Sequence, residues 1–104
     1  MITCSFFKSN GKLKKFRIHG HSGYSEEGSD IVCAAVSSMA MLTINNITDS
    51  FGLTADVVAD EEKPLIEFEL KSDDERGYAL IAGLWREIAV LANDYPENVR
   101  VTVK

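Results

Sequence analysis

The stretch GHSGYSEEGSDIVCAAVS, residues 20–37, places a histidine in a glycine-punctuated loop and, twelve residues later, a cysteine at the start of a helical pattern. Ser29 and Asp30 are both good N-cap residues for the apolar run that follows them. With either cap, Cys33 lies in the first turn of the helix, where unpaired backbone N–H groups and the helix dipole favour an anion. The stretch therefore predicts a loop that runs from a histidine into the N-terminus of a cysteine-bearing helix.

The pair formed by Cys33 and His21 has the residue types of a nucleophile and its base. The helix N-terminus favours the thiolate, which is the reactive form of cysteine. An imidazole folded over that turn would favour the thiolate further and later donate the proton. The first-turn N–H groups are predicted to hold an oxyanion. Gly20, Gly23 and Gly28 allow the loop to take the positive φ values that are needed to bring the histidine to the cysteine. The loop is also a predicted gate over the site.

Other polar residues of the stretch have predicted supporting roles. Asp30 is most simply the N-cap, and alternatively it orients the imidazole as the third member of a triad. Glu26 and Glu27 are either solvated loop charges or attract a basic substrate segment. Tyr24 lines an apolar substrate subsite or only caps the loop. Ser37, one helical turn beyond the cysteine, hydrogen-bonds near the site or to its own helix.

A zinc site is the metal alternative at this place. His19 and His21 are two residues apart, so in an extended segment both rings project to the same side. With Cys33 they offer the imidazole and thiolate ligands that zinc accepts. The missing fourth ligand makes zinc the weaker hypothesis. Cys4 is interpreted as an ordinary strand residue, and a disulfide between it and Cys33 is disfavoured by a reducing compartment.

The composition predicts one globular domain over residues 1–104. Hydrophobic residues make up 45% of the chain and charged residues 26%, which is ordinary globular usage. No secretory signal is apparent, and two cysteines then indicate free thiols and a cytoplasmic location. The net charge of −5 disfavours nucleic acid as a direct partner. The uncharged run over residues 31–48 contains enough polar residues to favour a buried helix over a membrane span.

The sequence on either side of the stretch predicts the order ββαββαβ. The predicted strands cover residues 2–7, 13–19, 54–59, 66–70 and 99–103, and the helices cover residues 30–50 and 72–95. Asn10-Gly11 is typical of a tight hairpin turn. Ser72 and Glu75 are predicted to form a capping box at the second helix, and Gly83 to permit close approach to the first. The expected fold is α+β, with a mostly antiparallel five-stranded sheet and two helices packed on one face.

The sequences GHSG at 20–23 and SDIVCAAVS at 29–37, at their observed separation, resemble the ribosomal-processing cysteine protease family of bacteria called Prp. The resemblance covers essentially the whole chain. It implies a homodimeric enzyme that removes an N-terminal extension from a large-subunit ribosomal protein, after paired aromatic residues and before a small one. The family histidine, aspartate and nucleophile match His21, Asp30 and Cys33.

The resemblance further implies that no metal or organic cofactor is needed. It gives little weight to Ser22, which lies where family members vary. The alternative function from another class is a non-catalytic ribosome-assembly factor that binds a basic ribosomal protein through acidic loops. Neither function involves direct contact with nucleic acid or a membrane.

Overall fold

The five-stranded sheet forms as the alternating patterns predict. The computed structural model describes residues 1–26, 30–60 and 62–104. Its elements are β1 (Ile2–Ser9), β2 (Lys12–His19), α1 (Ile31–Asn45), β3 (Ala55–Asp60), β4 (Leu65–Leu70), α2 (Glu75–Asp94) and β5 (Val99–Val103). The strand order is β3-β4-β2-β1-β5, and only β1 and β5 pair in parallel. The predicted α+β fold class is confirmed.

The β1–β2 hairpin turns at Asn10 and Gly11. Their φ values are 54° and 77°, the pair of positive values that a type I′ turn requires. Beyond the turn, Phe16 and Ile18 are buried while Arg17 is exposed. The hairpin therefore has one core face and one solvent face, as its period-two alternation predicts.

Both helices cover the apolar face of the sheet. The Phe16 ring stacks on that of Phe68 with 5.1 Å between centroids, so β2 and β4 are joined by side-chain packing as well as by backbone hydrogen bonds. The buried residues that the helical segments add to this core are Val32, Val36, Ala40, Ile44, Ile47, Ile81, Leu84 and Ile88. This single apolar layer between sheet and helices fixes the position of the N-terminus of α1.

The helical segment 31–50 consists of α1 and a π-helical turn, Asn46–Ser50. By length and composition alone it is long and apolar enough to cross a membrane, but the core helix of a globular domain meets the same criterion. The stripe of α1 that includes Val32 and Val36 lies in the core. Within this chain α1 is buried on one side only, since Ile31 and Leu42 are 59% and 65% exposed.

Two details of α2 differ from the sequence-based expectation. The helix begins after Asp74, whose carboxylate accepts the backbone N–H of Arg76. Ser72 is not the cap, because its hydroxyl instead accepts the N–H of Thr54 at 2.8 Å. The tightly packed glycine is Gly77 rather than Gly83. A Cβ on Gly77 would lie 2.6 Å from a buried leucine methyl group, whereas a Cβ on Gly83 would make only an ordinary contact with the Arg86 guanidinium, at 3.8 Å. Tertiary contacts, which local sequence does not show, decided both.

Candidate functional site

A cleft of about 630 Å³ lies between the N-terminal half of α1 and one end of the sheet. Four of the predicted site residues line it together: His21, Asp30, Cys33 and Ser37. The larger apolar side chains among the described residues that line its walls are Ile2, Ile18, Val36, Met41, Leu65 and Ile66. The cleft therefore combines a thiol and an imidazole with a largely apolar surface, as a site for an apolar peptide segment requires.

The chain bends sharply at Gly20 as it leaves β2. The φ of Gly20 is +94°, and a Cβ at this position would overlap the carbonyl oxygen of Met1, so only glycine fits without strain. The Gly20 N–H donates to the carbonyl of Pro64 at 3.1 Å, which ties the loop to the turn before β4. This bend directs the chain from the end of the central strand β2 toward α1, and it places His21 at the cleft.

The N-cap of α1 is Asp30, and its carboxylate is saturated with hydrogen bonds. Oδ1 accepts the N–H groups of Val32 at 2.9 Å and Cys33 at 3.0 Å. Oδ2 accepts the Ser22 hydroxyl and the Ser25 N–H. Burial alone would raise the pKa of Asp30, but the hydrogen bonds outweigh it and hold the pKa at about 2. Asp30 is therefore ionised at neutral pH, and it caps the helix as predicted.

The cap uses the amides that were expected to bind an oxyanion. Besides the two N–H groups bound by the Asp30 side chain, the N–H of Ala34 donates to the Asp30 carbonyl at 3.0 Å. These three amides are therefore occupied in this structure, because a carboxylate cap and an external oxyanion compete for the same donors. Among the described residues, no hydrogen bond joins Asp30 to His21, so the alternative role of orienting the imidazole has no support.

The Cys33 side chain is half-buried and is a free thiol. Its Sγ accepts a hydrogen bond from the backbone N–H of Ser22, with 3.3 Å between nitrogen and sulfur. The neighbouring His21 is exposed and lines the same cleft. In the described part of the chain no hydrogen bond connects the imidazole to Sγ. In enzymes without bound substrate, catalytic hydrogen bonds are often long and tighten only when the substrate binds.

Ser22 and Asn98 belong to the site although the sequence did not indicate them. Ser22 is only 1% exposed, and its hydroxyl binds Asp30. The side-chain amide of Asn98 donates to the Ser22 carbonyl at 3.0 Å. The position of Ser22 directly after the motif histidine was an available signal. Nothing local marks Asn98, because 76 residues separate it from its partner.

The predicted substrate-binding residues lie in different surroundings. Ser37 lines the cleft one turn beyond Cys33. Tyr24 is 49% exposed, and its ring packs in a T-shaped arrangement with that of Tyr95, with 5.4 Å between the centroids. Neither Tyr24 nor Glu26 is among the described residues that line the cleft, so their binding roles stay predictions. Glu27 lies outside the described residues.

The zinc hypothesis receives no support within residues 1–26, 30–60 and 62–104, where no three His, Cys, Asp or Glu side chains form a group that could hold a metal ion. The bend at Gly20 breaks the extended segment on which that hypothesis depended. The disulfide alternative is likewise not formed: Cys4 is free and buried in the core. Its burial raises the pKa of the thiol to about 12, so it is a poor nucleophile.

Comparison with known proteins assigns the family. The family model described as cysteine protease Prp matches residues 1–100. The chain belongs to this family. The ribosomal processing cysteine protease Prp of Bacillus subtilis (strain 168) is 29% identical to it over 108 residues, covering 98% of this chain and 96% of the relative. The Prp of Staphylococcus aureus (strain Mu50 / ATCC 700699) is 24% identical over the full length of both.

Solved structures share the fold of this chain. SMU.848 from Streptococcus mutans is 30% identical, with a TM-score of 0.87 over 99% of this chain and 93% of its own. The essential ribosomal processing protease Prp from S. aureus, crystallised with a covalently linked product peptide, superimposes with a TM-score of 0.93 over the whole of both chains at 23% identity. The second likeness shows the shared fold. Membership in the Prp family makes this chain a cysteine protease and favours that function over a non-catalytic assembly factor.

Proposed function

We propose that this Prp-family protease removes the N-terminal extension of a large-subunit ribosomal protein, with Cys33 as nucleophile and His21 as general base. The observation that carries the proposal is that these two residues line one cleft whose remaining walls are largely apolar. The S. aureus relative was crystallised with a covalently linked product peptide and with a substrate peptide. The cleft and the half-exposed Cys33 thiol of this chain support the binding of a peptide and covalent attack on it.

The proposed reaction begins when the imidazole of His21 takes the Cys33 proton and the thiolate attacks the scissile carbonyl carbon. The apolar wall formed by Ile18, Leu65 and Ile66 suits the aromatic residues that precede the cut. The protonated imidazole then gives its proton to the leaving amine, and water hydrolyses the thioester. Asp30 supports the reaction by holding the first turn of α1 and the loop in one arrangement.

The setting of the reaction is part of the proposal. Two free cysteines fit a reducing cytoplasm. The exposed apolar side chains of Ile31 and Leu42 on α1 support a homodimer, because exposed apolar side chains on a helix are commonly buried by a partner. The net charge of −5 favours a basic protein substrate.

The test uses the precursor ribosomal protein with wild-type enzyme and three variants. Cys33→Ala and His21→Ala should each reduce cleavage by on the order of 10³-fold or more, since they remove the nucleophile and the base. Cys4→Ala is the matched control, because it deletes the other thiol, which lies in the core, and should leave kcat unchanged. Equal cleavage by Cys33→Ala and wild type would refute the assignment.

A further inference from the structure

The hydrogen-bond donors around Cys33 Sγ suggest a different oxyanion site from the one that the sequence indicates. The N–H groups of Val32, Cys33 and Ala34 are all engaged by Asp30. The donor that points at the sulfur is the backbone N–H of Ser22, at 3.3 Å. We propose that this N–H stabilises the oxyanion of the tetrahedral intermediate, and that Asp30 and Asn98 are positioning residues that hold it there. This inference rests on the proposed function.

Three hydrogen bonds hold the Ser22 residue that carries this N–H. Its hydroxyl donates to Asp30 Oδ2 and accepts the Tyr24 N–H at 3.1 Å. Its carbonyl accepts the Asn98 side-chain amide at 3.0 Å. Ser22 is also 1% exposed, so neighbouring atoms enclose it. A donor fixed in this way needs no reorganisation when charge develops, which is the property that makes oxyanion donors effective.

The chemical step transfers this hydrogen bond from sulfur to oxygen. The Cys33 thiolate forms the S–C bond, and the π electron pair of the scissile carbonyl moves onto its oxygen. Because that oxygen is bonded to the attacked carbon beside Sγ, a donor already within reach of the sulfur is close to the new anion. When the intermediate collapses, the C=O bond re-forms, the C–N bond breaks, and the imidazolium of His21 protonates the departing nitrogen.

Asp30 joins the nucleophile and the donor in a single unit. One carboxylate oxygen binds the N–H of Cys33, and the other binds the hydroxyl of Ser22. The thiol-bearing helix turn and the oxyanion donor therefore keep a fixed separation. Asn98 adds a support from the segment that precedes β5; its backbone N–H and C=O are bonded to Tyr95 and Ile2, so its side chain starts from an anchored position.

The direct test replaces the Ser22 peptide bond with an ester, by introducing the corresponding α-hydroxy acid at position 22 of the full chain. This change removes the N–H and leaves the side chain in place. The expected result is a fall in kcat of about 10²–10³-fold with little change in KM, the effect of losing one oxyanion donor. The same ester at Leu53 is the control, since it removes a 2.9 Å backbone hydrogen bond to Ile47 in the π-helical turn after α1 and should leave kcat unchanged.

Two further readouts separate the oxyanion from the resting sulfur. Iodoacetamide alkylates a thiolate without forming an oxyanion, so its rate with the Ser22 ester should fall by less than about tenfold. A peptide aldehyde that forms a tetrahedral adduct on Cys33 should bind about 10²-fold more weakly. An unchanged kcat would overturn the proposal. So would a loss of alkylation as large as the loss of kcat, because the N–H would then serve only the sulfur.

The positioning role of Asn98 is tested separately with Asn98→Ala, which keeps the backbone hydrogen bonds of that residue. We expect kcat to fall about tenfold, with KM and the alkylation rate nearly unchanged, because only the orientation of the Ser22 N–H is lost. A rise in KM with kcat unchanged would contradict this role. Failure of the proposed function is recognised independently, since cleavage would then persist in Cys33→Ala whatever the Ser22 ester does.

Discussion

Substitution of Gly20 by alanine should damage both stability and catalysis. An alanine at the observed φ of +94° costs about 1–2 kcal/mol because of its Cβ. The same Cβ would overlap the backbone oxygen of Met1, and relieving such an overlap adds about 1–3 kcal/mol. The expected loss in the free energy of unfolding is therefore about 2–5 kcal/mol. Because His21 is the next residue, the relaxation should also displace the imidazole and lower kcat about 10–100-fold.

Gly11→Ala is the matched control for this substitution. Gly11 has a similar φ of +77°, but a Cβ there would meet nothing within 4 Å. Its expected cost is only the backbone term, about 1–2 kcal/mol, with kcat unchanged since the turn is at the far end of the hairpin. Urea denaturation followed by the fluorescence of the single tryptophan, Trp85, gives both unfolding free energies. If the two variants lose the same stability within about 0.5 kcal/mol, the assay's useful limit, and Gly20→Ala keeps full activity, the steric argument is wrong.

Three further predictions concern thiols, pH and helix packing. In the native protein a thiol reagent should modify Cys33 quickly and Cys4 only on unfolding, because burial raises the pKa of Cys4 to about 12; rapid reaction of both thiols would contradict this. Folding lowers the pKa of Asp30 to about 2, below an unfolded value of about 3.9. The stability that Asp30 adds should thus be complete above pH 4 to 5 and be lost as the pH falls through about 2. The measurement is the difference in unfolding free energy between wild type and Asp30→Asn, and a difference that stays constant across this window would refute the prediction. In thermal unfolding, Gly83→Ala should stabilise the protein by about 0.5–1 kcal/mol through helix propensity. Gly77→Ala should destabilise it, because its Cβ would lie 2.6 Å from a buried leucine side chain. Equal shifts in Tm for the two variants would contradict the packing argument.

Local sequence was sufficient wherever a few neighbouring residues settle the conformation. Asn10-Gly11 fixed the first turn because only such residues accept two positive φ values at low cost. Asp30 was predicted as the N-cap because its short carboxylate reaches the free amides of its own helix. Alternating apolar residues gave the strands, and one histidine and one cysteine at a motif spacing indicated the cleft.

Tertiary structure decided the features that depend on residues far apart in the chain. The parallel pairing of β1 with β5, the Pro64–Leu65 wall of the cleft and the Asn98–Ser22 hydrogen bond all join segments that sequence periodicity cannot connect. The same holds for the donors at Cys33: a helix N-terminus offers free amides in isolation, but the buried Asp30 carboxylate takes them and leaves Ser22 to face the sulfur. A backbone N–H group has several possible acceptors, and the folded chain determines which of them lies in hydrogen-bonding position.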